Sequence, residues 1–292
     1  MTTVAACGLA LVFRSRVHPR PVIGPGLLRR HNVSRVGRRR AGGQSHGGAV
    51  PLASFVLVHG AMHGGWCWRE VARLLSRQGH EVYTPTLTAQ GDRRQGLAPN
   101  VSVTTHVTDV TDLLWFEDLR DVHLVLHSYA GVLAGPVAQR AAGRLSSVTY
   151  LAAFVAEPGE SLADVEPPQV ARHYRELASA HGDGNVVPAS PRFLDQWGVT
   201  DQALRDRAGP RLTDFPLRCL TEPVCFDPAA LDRLPKTYVS HTRPPLESLR
   251  ASLDRAIAGG WQTRELPCGH DLMLAAPGPT ADLLATIAGH RS

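Results

Sequence analysis

The segment around Ser128 constrains the fold of this chain more than any other. Val122 to Leu126 is a short apolar run, and Gly131 to Ala142 has the small residues of a close-packed helix. Between them stands Val125-Leu126-His127-Ser128-Tyr129-Ala130-Gly131. A buried strand that turns sharply into a helix with Ser at the apex describes a nucleophile elbow. The turn lifts the hydroxyl above the sheet edge, and the helix N-terminus behind it favours developing negative charge. The usual form, G-x-S-x-G, has small residues two before and two after Ser; here those places hold Leu126 and Ala130. A Ser between strand and helix also serves as a plain helix N-cap, and this segment alone leaves both readings open.

From residue 51 onward strands alternate with helices. Strands are expected at Ser54 to Val58, Glu81 to Leu87, Val122 to Leu126, Ser147 to Phe154, Thr237 to Ser240 and Gln262 to Leu266. Helical spacing runs over Trp68 to Ser76, Val103 to Phe116, Gly131 to Ala142, Leu246 to Ala258 and Thr280 to His290. Short apolar strands in this alternation suit an α/β architecture, a mostly parallel sheet covered on both faces. The rhythm breaks over residues 156–234, which are rich in Pro and charge and hold one clear helical segment, Val170 to Ala180. That stretch reads as a cap inserted over the carboxyl edge of the sheet, where open α/β sheets bind ligands. The core is then 51–155 and 235–292. The cap aromatics Tyr174, Phe193, Trp197, Phe215 and Phe226 either line a pocket or pack a small core of their own.

The charge balance excludes one class of partner. Residues 1–50 hold nine Arg and no Asp or Glu, while the rest has 22 basic and 26 acidic residues, a net charge of −4. The basic character belongs to the leader, so no nucleic-acid partner is expected of the folded part. The apolar stretch Val4 to Phe13 precedes the arginines, the reverse of a secretory signal. A transit-type leader, a disordered tail, or a start of translation near Val50 remain as readings of residues 1–50. The five cysteines have no paired spacing, so neither a disulfide framework nor a zinc site is indicated, and reduced thiols in the cytoplasm are expected. No apolar run is long enough for a membrane span.

Two further features bear on Ser128. His59-Gly60-Ala61-Met62-His63-Gly64-Gly65 follows the first strand. A Gly-rich loop there turns backbone N–H groups toward the pocket, so that Ala61 and Tyr129 would form an oxyanion hole, each donor contributing about 3 kcal/mol. A phosphate loop would end in Lys-Ser/Thr, which is absent. His59 and His63 are spaced i, i+4, but on a Gly-rich loop with no third ligand near; no metal or cofactor is expected. Cys268-Gly269-His270-Asp271 follows the last strand, and a His at that sheet edge can take the Ser128 proton. His127 adjoins the nucleophile, with its side chain expected to point away.

The runs F-V-L-V-H-G-A-M-H-G-G-W-C-W, T-P-T-L-T-A-Q-G-D-R, L-V-L-H-S-Y-A-G and C-G-H-D-L-M-L occur in order over residues 54–290. With them the chain resembles the α/β-hydrolase superfamily, and within it the branch of small-ester esterases, plant methyl esterases and hydroxynitrile lyases. The resemblance implies a sheet of about six mostly parallel strands flanked by helices, an inserted cap, no cofactor and a Ser–acid–His triad. It implies Ser128 as nucleophile, His270 as base and the Ala61 and Tyr129 amides as oxyanion donors. Gly60, Met62 and Trp197 are expected at the substrate pocket, with a small-molecule ester-like substrate, no membrane partner and a homodimer left open.

The resemblance also exposes departures. The family acid belongs in a segment like Y-V-x-x-T-x-D-P, and Pro244 stands in its place in Tyr238-Val239-Ser240-His241-Thr242-Arg243-Pro244-Pro245. Losing that acid from a true triad costs up to ~10⁴ in rate. Glu247 is the expected substitute and Glu157 the other candidate; a Ser–His dyad or a reaction other than hydrolysis are the alternatives. Hydroxynitrile lyases, as the resemblance implies, need a Thr and a Lys where this chain has Gly60 and Asp271. Three functions follow: a Ser-dependent carboxylic-ester hydrolase, a lyase that expels an acyl or carboxylate group, and a non-catalytic ligand-binding protein. Deletion of residues 1–48 is expected to leave folding and activity intact; loss of soluble protein on truncation would refute this.

Overall fold

Six consecutive side chains of β3 (Val122–His127) are buried. A strand can bury both its faces only in the middle of a sheet covered on both sides. β3 lies between β1 (Ser54–Val58) and β4 (Leu145–Leu151) in a six-stranded sheet, which β2 (Glu81–Tyr83), β7 (Lys236–His241) and β8 (Gln262–Leu266) complete. The order is β2-β1-β3-β4-β7-β8, and every neighbouring pair is parallel. The computed structural model describes residues 52–141, 143–181 and 184–289. The expectation for residues 1–50 falls outside them.

Helices α1 (Arg69–Arg77), α2 (Val103–Phe116) and α3 (Ala134–Arg140) precede β4. α2 starts at a reciprocal cap, in which the Ser102 N–H donates to Thr105 Oγ1 at 3.2 Å. α3 begins later than the spacing expected. The chain leaves Ser128 as a 3₁₀ stretch, Ser128–Leu133, and becomes α-helical only at Ala134. Pro136 accounts for the boundary: a proline has no N–H to donate and fits an α-helix only in its first turn.

Residues 156–234 hold α4 (Leu162–Val165), α5 (Pro168–Ala180), α6 (Phe193–Gln196), α7 (Gln202–Ala208), α8 (Leu217–Thr221) and α9 (Pro228–Asp232), with the antiparallel ribbon of β5 (Val186–Val187) and β6 (Phe215–Pro216). After β7 come α10 (Arg250–Ala258), β8, α11 (Leu272–Ala275) and α12 (Pro277–Gly289). Two polar clamps tie the inserted segment to the sheet layer. Near its start, Arg255 of α10 donates to both Glu160 oxygens, at 2.5 and 2.7 Å, and to the Val155 carbonyl at 2.8 Å. Near its end, Glu222 accepts from the Thr104 N–H, the Thr104 hydroxyl and the Ser102 hydroxyl at the N-terminus of α2, where negative charge is favoured. Cys67, Cys219, Cys225 and Cys268 are free thiols. No helix among the described residues is long and apolar enough to cross a membrane.

Gly131 sits where the 3₁₀ stretch passes the chain leaving β4. A Cβ there would come 2.2 Å from the Phe154 carbonyl oxygen and 2.9 Å from the Ala153 Cβ. Backbone on both sides leaves nothing flexible to yield. Gly131→Ala is expected to lower stability by about 1–3 kcal/mol, read as a fall in urea midpoint at unchanged m-value.

Candidate active site

Ser128 stands at the carboxyl end of β3 with φ of 53°, in the left-handed region that a non-glycine residue seldom occupies. Such a conformation costs about 1–3 kcal/mol and persists only where surrounding structure over-determines it. Here the Ser128 carbonyl accepts from the Phe154 N–H at 3.1 Å, and the close approach of Gly131 fixes the next turn. Leu126 and Ala130, the two departures from G-x-S-x-G, are both fully buried. Leu126 stays in register in β3, opposite Val58 and Tyr150. The closest packing behind the turn falls on Gly131, one residue beyond Ala130, so Ala130 is accommodated. On the other side Gly60 lies against Ser128: a Cβ there would meet the Ser128 Cβ at 2.7 Å and Oγ at 3.3 Å.

His270 Nε2 lies 3.0 Å from Ser128 Oγ. The loop bearing His270 is gripped by the inserted segment. The His270 N–H donates to the Trp197 carbonyl at 2.8 Å, and Gly269 lies so close to Trp197 and Gly198 that a Cβ would meet their carbonyl oxygens at 2.7 and 2.6 Å. His127 points away from Ser128 Oγ: its Nε2–H donates to the His270 carbonyl at 3.0 Å. The His270 ring is buried, and burial, followed by the neighbouring His127, His241 and His63, pushes its pKa well below the ordinary imidazole value.

The other side of that ring departs from the expected triad. His270 Nδ1 is buried and meets no hydrogen-bond partner among the described residues. Glu247 is exposed at the 3₁₀ turn before α10 and does not line the cavity, and Glu157 is exposed too. Neither carboxylate substitutes for the acid, because each sits on a solvent-facing turn. Pro244, at the acid's position, packs against Gly198, whose φ is 70°; a Cβ on Gly198 would come 2.7 Å from Pro244 Cδ. His241, at the end of β7, places its ring edge-on to His270 with centroids 5.1 Å apart.

A buried carboxylate does lie close by, on a residue that the sequence reading passed over. Asp271 is fully buried, and its Oδ2 lies 3.3 Å from His63 Nε2, a charge contact without hydrogen-bond geometry. His63 Nδ1–H donates to the Ala61 carbonyl at 2.8 Å. Burial, the largest single influence, would lower the His63 pKa; Asp271 and the Ala61 carbonyl together outweigh it and raise the value above the ordinary one. The signal available was His-Asp directly after the last strand, paired with a His in the Gly-rich loop. His59 does not join the group, since its ring bonds the Gly60 carbonyl and the Leu87 N–H. His127, His270 and Asp271 each bring one potential metal-ligand atom within 4.8 Å of the others; the Nε2 atoms of the two rings serve the His270 carbonyl and Ser128, and their Nδ1 atoms have no hydrogen-bond partner among the described residues.

These groups open onto a cavity of about 320 Å³. Gly60, Ala61, Met62, Ser128, Tyr129, Trp197 and His270 all line it, so the structure brings together every expected site residue except Glu247. The Tyr129 phenol is held by His106 Nδ1 at 2.9 Å. Met62 has φ of 65°, with its N–H donating to Gln90 Oε1 at 2.7 Å. The Trp197 ring lies 5.1 Å from His63 and stacks on Phe193 at 5.5 Å. Of the expected aromatics, Tyr174, Phe193, Trp197 and Phe215 reach the cavity, whereas Phe226 packs against Gly135 of α3.

Comparison with known proteins supports the fold and an esterase activity. A carbendazim hydrolyzing esterase of Nocardioides sp. (strain SG-4G) is 34% identical over 246 residues, which span 81% of this chain and 100% of that protein. A pFDCC methylesterase of Arabidopsis thaliana is 25% identical over 223 residues, 71% of this chain and 83% of its own length. Among solved structures, an extracellular α/β-hydrolase from a Paenibacillus species superposes with a TM-score of 0.72 at 24% identity, covering 82% of this chain and all of that one; at that identity the likeness speaks for the fold. The model of the alpha/beta hydrolase family matches residues 55–283, and with it the chain belongs to the alpha/beta hydrolase family.

Proposed function

We propose that this carboxylic-ester hydrolase cleaves a small, partly apolar ester through a Ser128–His270 pair, beneath a cap formed by residues 156–234. The observation that carries the reading is the 3.0 Å contact between His270 Nε2 and Ser128 Oγ at the wall of a mostly apolar cavity. His270 accepts the Ser128 proton as Oγ bonds to the ester carbonyl carbon. The Ala61 and Tyr129 N–H groups stabilise the tetrahedral oxyanion, each contributing about 3 kcal/mol. The alkoxide departs with the proton from His270, and water, deprotonated in turn by His270, releases the acid.

His270 runs this cycle without a carboxylate on Nδ1, and the imidazolium gains less stabilisation than in a full triad. The same observation favours a second reading, elimination of an acyl or carboxylate group, which demands less of the base when the substrate proton is acidic. The two readings differ in whether Ser128 is acylated.

Ser128→Ala is expected to lower kcat/KM on 4-nitrophenyl acetate by about 10³ or more, and intact-mass spectrometry of the wild type should catch an acyl adduct that the variant lacks. Equal turnover in both proteins removes Ser128 from the mechanism.

The His270 environment generates a pH prediction. A base whose pKa is held below the ordinary value is unprotonated, and competent, at pH values where a free imidazole is already charged. The kcat/KM profile should therefore stay level as pH falls through about 6.5 and decline only below that. An acid limb with its midpoint at or above that value contradicts this picture of the site.

A further inference from the structure

The cavity that holds Ser128 and His270 is also lined by one group that ester hydrolysis does not use. Glu166 follows α4 and precedes Pro167, and a residue before proline is held extended; its φ is −68° and ψ 150°. The side chain lines the same cavity as Ser128 and His270 and is 6% exposed. Its Oε2 is buried with no hydrogen-bond partner among the described residues. No Lys or Arg is among the residues lining the cavity. The other acidic residue there, Asp271, is already held against His63.

A carboxylate removed from water without a partner is costly, and buried charges are normally paired. Burial pushes the Glu166 pKa up to about 7, and the Ser248 hydroxyl offsets only part of that. The group is therefore carried at a cost to the empty protein and is ready to ionise near neutrality. Apolar ligand cavities use a few such polar groups to orient what they bind.

We propose that Glu166 is a substrate-recognition site for a cationic, N–H-rich group of the amidine type, on an ester whose carbonyl is presented to Ser128. An amidinium N–H donates to a carboxylate oxygen in a charge-assisted hydrogen bond. Tyr174, four residues after Val170 on α5, lines the cavity beside them and gives a flat apolar wall for the body of such a substrate. The inference rests on the ester-hydrolase reading for turnover, but the binding step stands by itself.

The experiment compares methyl 3- and 4-amidinobenzoate with methyl 3- and 4-acetylbenzoate, at about pH 8.5, where Glu166 is ionised and the amidine remains charged. Wild type should prefer at least one amidine over its acetyl partner by about tenfold or more in kcat/KM, and Glu166→Gln should reduce that ratio to near unity. In parallel, calorimetry should show benzamidine binding wild type about tenfold more tightly than acetophenone, a difference lost in Glu166→Gln. Absence of both preferences in wild type, or their survival in Glu166→Gln, overturns the proposal; the wild-type comparison decides it if the variant does not fold. Failure of all four esters to turn over, with the benzamidine preference intact, would count against the hydrolase reading and leave the Glu166 site standing.

Discussion

The site depends on the backbone of Ser128 being held in a left-handed conformation between two close approaches. On one side Gly131 passes within contact of the Phe154 carbonyl, and on the other Gly60 lies against the Ser128 side chain. The Phe154 N–H closes the arrangement on the Ser128 carbonyl. Each contact comes from a different strand end, β4 and β1 beside the central β3. The parallel order of those three strands therefore fixes the direction of the hydroxyl, and the strain in the turn is maintained by the sheet.

Much of this was legible in the sequence, because buried parallel strands are written as short apolar runs and β/α alternation leaves few topologies. β1, α2 and β8 fall where the residues place them. The start of α3 does not, since a run of small residues cannot distinguish a 3₁₀ stretch from an α-helix; Pro136 was the available clue. Ser128 and His270 were legible by position, one after the central strand and the other after the last. The acid was not. Glu247 and Glu157 were candidates by their distance along the chain, but reaching His270 depends on which way a loop turns, and both loops face solvent. Asp271 was hidden for a related reason: its neighbour His270 drew the catalytic expectation, and its partner, His63, lies more than two hundred residues away.

Imidazole rings and a proline surround His270, with no carboxylate on Nδ1 among the described residues. Pro244 fills the position against Gly198, His241 lies edge-on to the base, and the nearby negative charge is spent on His63. The result is an imidazole with a lowered pKa, oriented through its own backbone by Trp197 and His127, with no partner on its second nitrogen among the described residues. Orientation by main-chain bonds leaves the ring in place but gives its charged form less support. A site built this way suits substrates that make modest demands on the base.

The bond from the His270 N–H to the Trp197 carbonyl joins two functions that many enzymes keep apart. Trp197 belongs to the segment that shapes the cavity, and His270 to the loop that faces Ser128. Clamped by Glu160 and Glu222 near its two ends, that segment has little freedom to drift outward as a rigid piece. Evolutionary or laboratory changes that widen the cavity near Trp197 would disturb the base along with the fit. New substrates are more readily reached by altering the wall at α4 and α5, which shapes the chamber without holding the His270 loop.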